Sequence, residues 1–373
     1  MKAAIFGAGV AGLVTAITLS RSGHSCRVYE RVRSSQDAGM GFILVPEGIQ
    51  SLQALGVNLD DEFGGTTLEN YCWRSSEGEM LHQERMPAGA RGIRRRDLMA
   101  ALMSALPDPE AIIFDAELSS LKFDHSGAVI AACITNGEQI AADLYVGADG
   151  IHSRARRSLF PGWPSPQARV AEVVGLVHSP EVIRWSGHTF NKFHALEGGL
   201  AVGVLPVDGE HLVWYFQFDN RRFSPPQENA EARRSFVQNL IGDWADPIPQ
   251  LIAQTDFSRV HLWRPIDTDL IPYFNYKNLV LVGDAAHPLL PFTSQGVSSA
   301  VEDAITLAQL TTSGQDLNES LSAYSMQRRL ECEPFIAKGR ELMRCFLQPQ
   351  GARTMVLPIA ESPHHLQRLS SSR

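Results

Sequence analysis

Residues 2–30 read KAAIFGAGVAGLVTAITLSRSGHSCRVYE, and Gly7-Ala8-Gly9-Val10-Ala11-Gly12 within them decides the fold. Residues 2–6 are apolar and read as a buried strand, 11–23 as a helix, and 26–30 as a second strand, so the chain opens with a βαβ unit. Gly7 permits the tight turn out of the strand. Gly9 lets a pyrophosphate approach the backbone, and Gly12 lets helix and strand pack closely. The start of the helix offers N–H groups and the positive end of its dipole to phosphate. Glu30 ends the second strand and is placed to accept hydrogen bonds from ribose hydroxyls. This is a dinucleotide-binding fingerprint in its proper context, and by itself it leaves NAD and FAD both open.

Residues 3–19 carry no charge and follow Lys2, a pattern that could pass for a signal peptide or a membrane span. The three glycines favour the βαβ reading, and with it a protein of the cytoplasm without stable membrane insertion. The length of 373 residues suggests two domains, and 44% hydrophobic with 20% charged residues is a globular balance. A formal net charge of -8 speaks against nucleic acid as a partner, since phosphate binding needs clustered Lys and Arg. The tight basic cluster Arg94-Arg95-Arg96 opens a helix instead of forming a basic arm. Cys26, Cys72, Cys133, Cys332 and Cys345 are dispersed and form no C-x-x-C pair, which fits a reducing compartment. Without H-x-x-H or a Cys/His cluster no metal site is expected, and without G-x-S-x-G no hydrolase. Oligomeric state, monomer or dimer, stays open.

Further along, Pro46 can start a short helix that Gly56 stops, and residues 70–83 form a hairpin turning at Ser76-Glu77-Gly78. A helix follows Arg95 with Leu98, Leu102 and Leu106 as its apolar stripe, and residues 117–147 alternate as strands. From 166 to about 265 strands dominate, with a helical interruption over 225–249; the clearest hairpin joins 200–205 to 211–218. At 278–282 the buried parallel-strand pattern returns, and helical periods run through 297–311 and 317–347. The expected organisation is a nucleotide-binding domain in two pieces, residues 1–165 and 267–347, around a β-rich domain at 166–266. The hairpin near 70–83 is free to join the inserted domain, and residues 348–373 stay unassigned.

Two more motifs carry chemistry. Gly147-Ala148-Asp149-Gly150-Ile151-His152-Ser153-Arg154 follows one strand and precedes a helix. Gly283-Asp284-Ala285-Ala286-His287-Pro288 follows another and continues through Pro291-Phe292-Thr293-Ser294-Gln295-Gly296 into a helix bearing Glu302-Asp303. Alone, the first could be a turn and the second a loop with Asp284 as a cap. The three motifs in this order, with Arg95-Arg96-Asp97-Leu98 at a helix start, resemble the class A flavoprotein monooxygenases, the single-component aromatic hydroxylases of the para-hydroxybenzoate and salicylate hydroxylase type. The likeness spans residues 1 to about 345.

The resemblance implies an α/β fold: a glutathione-reductase-type Rossmann FAD-binding domain with an inserted β-sheet substrate domain and C-terminal helices. It implies FAD as cofactor, NAD(P)H visiting without a Rossmann domain of its own, O2, and an aromatic small molecule hydroxylated through a flavin C4a-hydroperoxide. Asp284 is then expected on the ribityl chain, Arg95 near the ribityl–pyrophosphate region, and Asp149 in the segment linked to FAD and the nicotinamide cofactor. Pro291 is expected beside the isoalloxazine ring, with the 293–296 backbone on its pyrimidine side. Ala11, Arg31, Gly283, Gln295, Gly296 and Val297 complete the expected flavin set with Gly7, Gly9, Gly12 and Glu30. There are departures from the pattern: Glu47 stands where Asn is common, and Gly39-Met40-Gly41-Phe42 is more open than usual.

The inserted domain matches only in character. On the strand 211–218, Leu212, Trp214, Phe216 and Phe218 share one face, and Val213, Tyr215 and Gln217 share the other. The aromatic face reads as core, leaving Tyr215 and Gln217 toward the flavin as substrate-site candidates with Pro291. His194 is a further acid–base candidate, although a lone strand histidine is more often structural, and His287 reads as backbone support. The rivals on the same fold are an epoxidase, an isoprenoid reductase, a halogenase and a non-enzymatic carrier. The halogenase lacks its W-x-W-x-I-P run here, and a carrier could lose the loop that 283–296 retains.

Overall fold

The computed structural model describes residues 1–32, 40–59, 64–226 and 229–349, so Gly39 and the unassigned segment from residue 350 lie outside the described residues. A six-stranded sheet forms the first layer, in the order Asn275–Tyr276, Leu279–Leu281, Leu144–Gly147, Lys2–Phe6, Ser25–Tyr29, Ile112–Ile113. Its pairings are parallel apart from the edge strand Asn275–Tyr276. The parallel strands lie under cover on both faces, which is why 2–6, 144–147 and 279–281 are nearly continuous apolar runs. The stretch that could have passed for a membrane span is split between the strand Lys2–Phe6 and the helix Val10–Arg21. No helix among the described residues is long and apolar enough to cross a membrane.

The fingerprint glycines act through close approach. A Cβ on Gly12 would lie 1.8 Å from the Gly7 carbonyl oxygen, and one on Gly7, at φ +110°, would lie 2.3 Å from the Ala148 oxygen. The first glycine pair therefore fixes the helix against its strand, and Gly7 brings the segment at 147–150 against the turn. The helix Gly296–Thr311 packs beside the helix Val10–Arg21, with the Thr18 hydroxyl donating to the Ala304 carbonyl at 3.3 Å.

A seven-stranded sheet forms the second unit, in the order His261–Trp263, Val170–His178, His211–Asp219, Leu200–Pro206, Thr189–His194, Asn70–Ser75, Met80–Arg85. The hairpin near 70–83 does join this sheet, its first strand running parallel to Thr189–His194. The strand's alternation resolves as its residues suggest. Leu212, Trp214, Phe216 and Phe218 are buried on the outer face with Val237, Ile241 and Leu251 of the helices Ala230–Ile241 and Ile248–Gln254. Tyr71, Phe190 and Val213 lie on the inner face. The helix Pro180–Ser186 is not foreseen in the sequence, because seven residues are too short for a period to declare itself.

The two sheets are tied at several points. The small sheet of Gly41–Leu44, Thr66–Thr67 and Arg91–Arg94 packs on the hairpin 200–219, where a Cβ on Gly92 would lie 2.0 Å from the Pro206 oxygen. Buried Arg94 donates to Asp208 at 2.8 Å, anchoring the hairpin turn next to the start of the helix Arg95–Ser104. The helix Leu317–Leu347 reaches both units. Leu321 and Tyr324 enter the core of the first, while Leu342, Met343 and Phe346 pack with Val170, Ala201, Leu290 and Phe292.

Trp214 is fully buried and its indole N–H donates to the Thr255 hydroxyl at 2.9 Å. Trp214→Ala is expected to destabilise the protein by about 3–5 kcal/mol. Urea unfolding measures this, and a loss under 1 kcal/mol would refute the assignment of the core face.

Candidate functional site

A cleft of about 240 Å³ opens at the C-terminal end of the strand Lys2–Phe6, lined among others by Gly7, Gly9, Glu30, Arg31, Arg95 and Asp149. This is where ligands bind in open α/β sheets. The structure therefore brings together six positions that the sequence scatters over more than a hundred residues. Glu30 already has work there: its carboxylate accepts from the Ala8 N–H at 2.7 Å and the Val32 N–H at 3.0 Å, so it braces the fingerprint turn as it faces the cleft. Asp149 accepts from the N–H groups of Arg154 at 2.7 Å and Ala155 at 3.2 Å, capping the helix Arg154–Leu159 through one oxygen. Its other oxygen is buried with no hydrogen-bond partner among the described residues.

Two helix N-termini stand open. Among the described residues, the helices Val10–Arg21 and Gly296–Thr311 have no side-chain cap, and a Cβ on Gly9 or on Gly296 would meet no protein atom within 4 Å. Glycine at these two positions is thus not demanded by protein packing, and the space that a side chain would fill is left to a ligand. Together with the buried unpartnered oxygens of Asp149 and Thr293, these features fit a dinucleotide laid along both helix starts.

Asp284 stands exposed on the 283–287 loop, outside the residues that line the cleft, and Gly283, at φ +58°, lies so near the first helix that a Cβ there would stand 2.7 Å from the Ala11 Cβ. The protein mass around it raises the Asp284 carboxyl above its ordinary value even though the side chain is open to solvent, against the pull of His287, Arg95 and Arg156. Burial likewise lowers Arg95, which Asp284 partly offsets. Arg156, not singled out in the sequence, donates to the Asp284 and Ala285 carbonyls, each at 2.9 Å, and so fixes the loop from beneath.

The loop rests on a buried charge cluster, also missed in the sequence except for His287. The Asp303 carboxylate accepts from the Gly283 N–H at 2.6 Å, His287 Nε2 at 2.7 Å and Arg328 Nε at 2.7 Å. His287 supports the backbone as its place suggests, but through Asp303. Burial opposes charge on Asp303, yet His287 and Arg328 outweigh it and bring its pKa down to about 2. Burial opposes the His287 imidazolium too, and Asp303 overrides it, raising the pKa well above the ordinary histidine value. His287, Asp303 and Cys332 lie close enough to suggest a metal, but Arg328 already supplies the cation, donating to Asp303 and at 3.7 Å to the Cys332 sulfur.

Beyond the cleft, the segment 291–296 passes under the inner face of the seven-stranded sheet. Pro291, Phe292 and Thr293 form one turn of tight helix, and Gln295 and Gly296 lead into the helix carrying Val297. Tyr215 and Gln217 lie on that inner face, in register with Val174 and Glu172 of the neighbouring strand. Lys192, on the same face, has its Nζ 5.6 Å from the Tyr215 ring centre and 5.7 Å from that of Phe292. His194 is buried and stacks on Trp73 with ring centres 4.1 Å apart. Sequence reasoning missed Glu172 and Lys192. They fall in the strand-rich stretch 166–265, but only the pairing of distant strands puts them on one face with Gln217.

A family model described as FAD binding domain matches residues 1–336. Among curated relatives, a 3-amino-4-hydroxybenzoate 2-monooxygenase of Streptomyces platensis is 29% identical over 96% of this chain and 93% of its own length. An FAD-dependent urate hydroxylase of Klebsiella pneumoniae is 28% identical over 92% of this chain and 90% of its own. Among solved structures, Klebsiella pneumoniae HpxO complexed with FAD and uric acid superposes with a TM-score of 0.82 at 23% identity, covering 94% of this chain and 90% of that one. A 2,6-dihydroxypyridine-3-hydroxylase from Arthrobacter nicotinovorans gives 0.81 at 20% identity, covering 97% and 98%.

The Asp303 clamp has a definite pH signature. A carboxylate held at about 2, below its ordinary value, stabilises the fold above about pH 4 and loses that contribution as pH falls toward 2. Asp303→Asn removes the buried carboxylate that His287 and Arg328 share, leaving Arg328 its other partner Glu331, and is expected to cost about 3–5 kcal/mol at pH 7. Urea unfolding of both proteins should show this gap narrowing from pH 4 downward, where the wild-type carboxylate is also protonated. A gap that ignores pH, or never exceeds 1 kcal/mol, contradicts the clamp.

Proposed function

The chain belongs to the FAD-binding-domain family, and we propose on that footing that it is an FAD-dependent monooxygenase using NAD(P)H and O2 to hydroxylate a small aromatic molecule. The observation that carries the reading is the pair of uncapped helix starts at Gly9–Val10 and Gln295–Gly296, joined by the clamped Gly283–His287 loop. The curated relatives act on aminohydroxybenzoate and urate, both planar aromatic rings rich in N–H and O–H groups.

Bound FAD would supply the redox chemistry, accepting reducing equivalents from NAD(P)H and activating O2 for insertion of one oxygen atom. The rest belongs to the chain. Gly9 and the N–H groups beginning the helix Val10–Arg21 would hold the pyrophosphate, and Glu30 the adenosine ribose. Asp284 would accept from the ribityl hydroxyls, with Arg95 close by to balance its charge. Pro291 and the backbone of 293–296 would bear on the ring system, while Ala11, Arg31, Gly283 and Val297 complete the lining. The inner face of the seven-stranded sheet, with Tyr215 and Gln217, would orient the aromatic substrate and keep water out. Burial and Glu172 raise Tyr215 well above its ordinary value, so it stays a neutral phenol able to donate. His194, packed on Trp73, would shape the wall of that face. The intact loop at 283–296 favours an enzyme over a carrier built on the same fold.

The decisive assay is NAD(P)H oxidation by the FAD-loaded protein with a panel of phenols and N-heterocycles, followed by mass analysis after reaction under labelled oxygen gas. One labelled oxygen in the product is expected; NAD(P)H oxidation that never yields a labelled product argues for another flavin oxidoreductase. Asp284→Ala is expected to weaken FAD retention by roughly tenfold or more, the worth of one charge-assisted hydrogen bond. Dialysis with fluorescence detection of released FAD measures it, and unchanged retention would mean the ribityl chain lies elsewhere.

A further inference from the structure

The inner face of the seven-stranded sheet buries two opposite charges that the flavin site does not explain. Glu172 and Lys192 are each at least 95% buried, on strands separated by two others. Glycine clears the strand between them. Lys192 pairs with Gly203 and Gly203 with Tyr215, and a Cβ on Gly203 would lie 2.2 Å from the Tyr215 ring. The phenol therefore lies flat across the bare strand, and Lys192 extends over it toward Phe292, which follows Pro291. The Gln217 amide donates to Glu172, which orients the amide so that its own carbonyl oxygen is buried with no hydrogen-bond partner among the described residues.

Two opposite charges buried on one sheet face cost desolvation energy, and their mutual attraction contributes little net stability. A buried acceptor left unsatisfied adds to the cost. Such expense is typical of a site that awaits a polar ligand. We propose that Glu172, Gln217 and Lys192 select a planar aromatic substrate bearing an acidic O–H or N–H: Glu172 and Gln217 accept from that group, Glu172 takes its proton, and Lys192 holds the resulting anion beside Phe292. The proton moves from ring oxygen or nitrogen to a Glu172 carboxylate oxygen, and the electron pair of the broken bond stays on the ring, which becomes more electron-rich. No oxidant enters this step. The proposal rests on the monooxygenase reading, since an electron-rich ring is what hydroxylation by activated oxygen requires.

Glu172 is suited to the task. Burial pushes its pKa up to about 7, with the Gln217 hydrogen bond and Lys192 pulling the other way. The other groups near it on this face are His194, stacked on Trp73; Tyr215, held neutral; and His261 two positions along the edge strand, lowered by burial and by Arg233 and Arg95. Asp219, at the rim, is paired with Arg169 at 2.9 Å. The loop Pro291–Thr293 and the helix residues Leu342, Met343 and Phe346 bring no ionisable side chain.

The test titrates oxidised, FAD-loaded enzyme, without NAD(P)H, and follows the flavin absorbance. The probes are 3-amino-4-hydroxybenzoate and urate, each against its O- or N-methylated counterpart. The parent compounds are expected to bind about tenfold or more tightly than the methylated ones, as one charge-assisted hydrogen bond implies. For the hydroxybenzoate, affinity should fall as pH drops through about 7, where Glu172 is already protonated and can no longer take the proton. Glu172→Gln should flatten that profile, and Lys192→Met should abolish the preference, while both keep FAD. Should Lys192→Met fail to retain FAD, Lys192→Gln replaces it. Equal binding of parent and methylated probes, no binding of any probe, or a pH break that survives in Glu172→Gln overturns the proposal. Because the titration needs neither NAD(P)H nor O2, its result stands apart from the labelled-oxygen assay: selective binding without oxygen insertion would fault the monooxygenase reading, and oxygen insertion without selective binding would fault this one.

Discussion

The carboxylate of Asp303 receives a backbone N–H from Gly283, an imidazole nitrogen from His287 and a guanidinium nitrogen from Arg328. It is wholly buried, so each of these interactions acts where water cannot screen it. The loop that carries Asp284 hangs from this one side chain, with Arg156 holding the same loop by its carbonyls. The Arg328 guanidinium also donates to the Ser299 carbonyl, joining the long C-terminal helix to the first turns of the helix Gly296–Thr311. The open start of that helix is positioned by the same charge that fixes the loop before it. A site that must hold a negatively charged dinucleotide is thus assembled on an anion of its own, neutralised from the far side.

Close backbone approach supplies the second constraint. Gly12 lies against the Gly7 carbonyl, Gly7 against Ala148, and Gly283 against Ala11, and any side chain at these glycines would force the segments apart. The three chemical motifs touch one another through these contacts, so the spacing between them in the chain serves one geometry. Gly9 and Gly296 differ, since no described residue crowds them. The first group makes the fold and the second leaves room for what the fold binds.

The seven-stranded sheet divides its work by face. Its outer face is a conventional aromatic core under helices, built around Trp214, Phe216 and Phe218. Its inner face combines rings with buried polar groups, and it meets the segment 291–296 through Phe292 and the end of the long helix. That helix packs on both units, which couples the position of the inner face to the position of the loop.

The Rossmann frame was legible because its determinants are local: glycine spacing, an apolar run and a helix start lie within thirty residues, and the two later motifs repeat strand, turn and helix. Alternation likewise separated Trp214 from Tyr215, because a strand's side chains must point to opposite faces. What the sequence could not reveal was which distant groups share a face or a buried cluster. Asp303 and Arg328 look like ordinary helix charges until the packing of two helices buries them on one loop. Glu172 and Lys192 lie twenty residues apart and look like surface residues of a strand. Strand order alone places them on one side of the sheet, across the bare backbone of Gly203, and strand order is set by non-local pairing, which leaves no local signature in the chain.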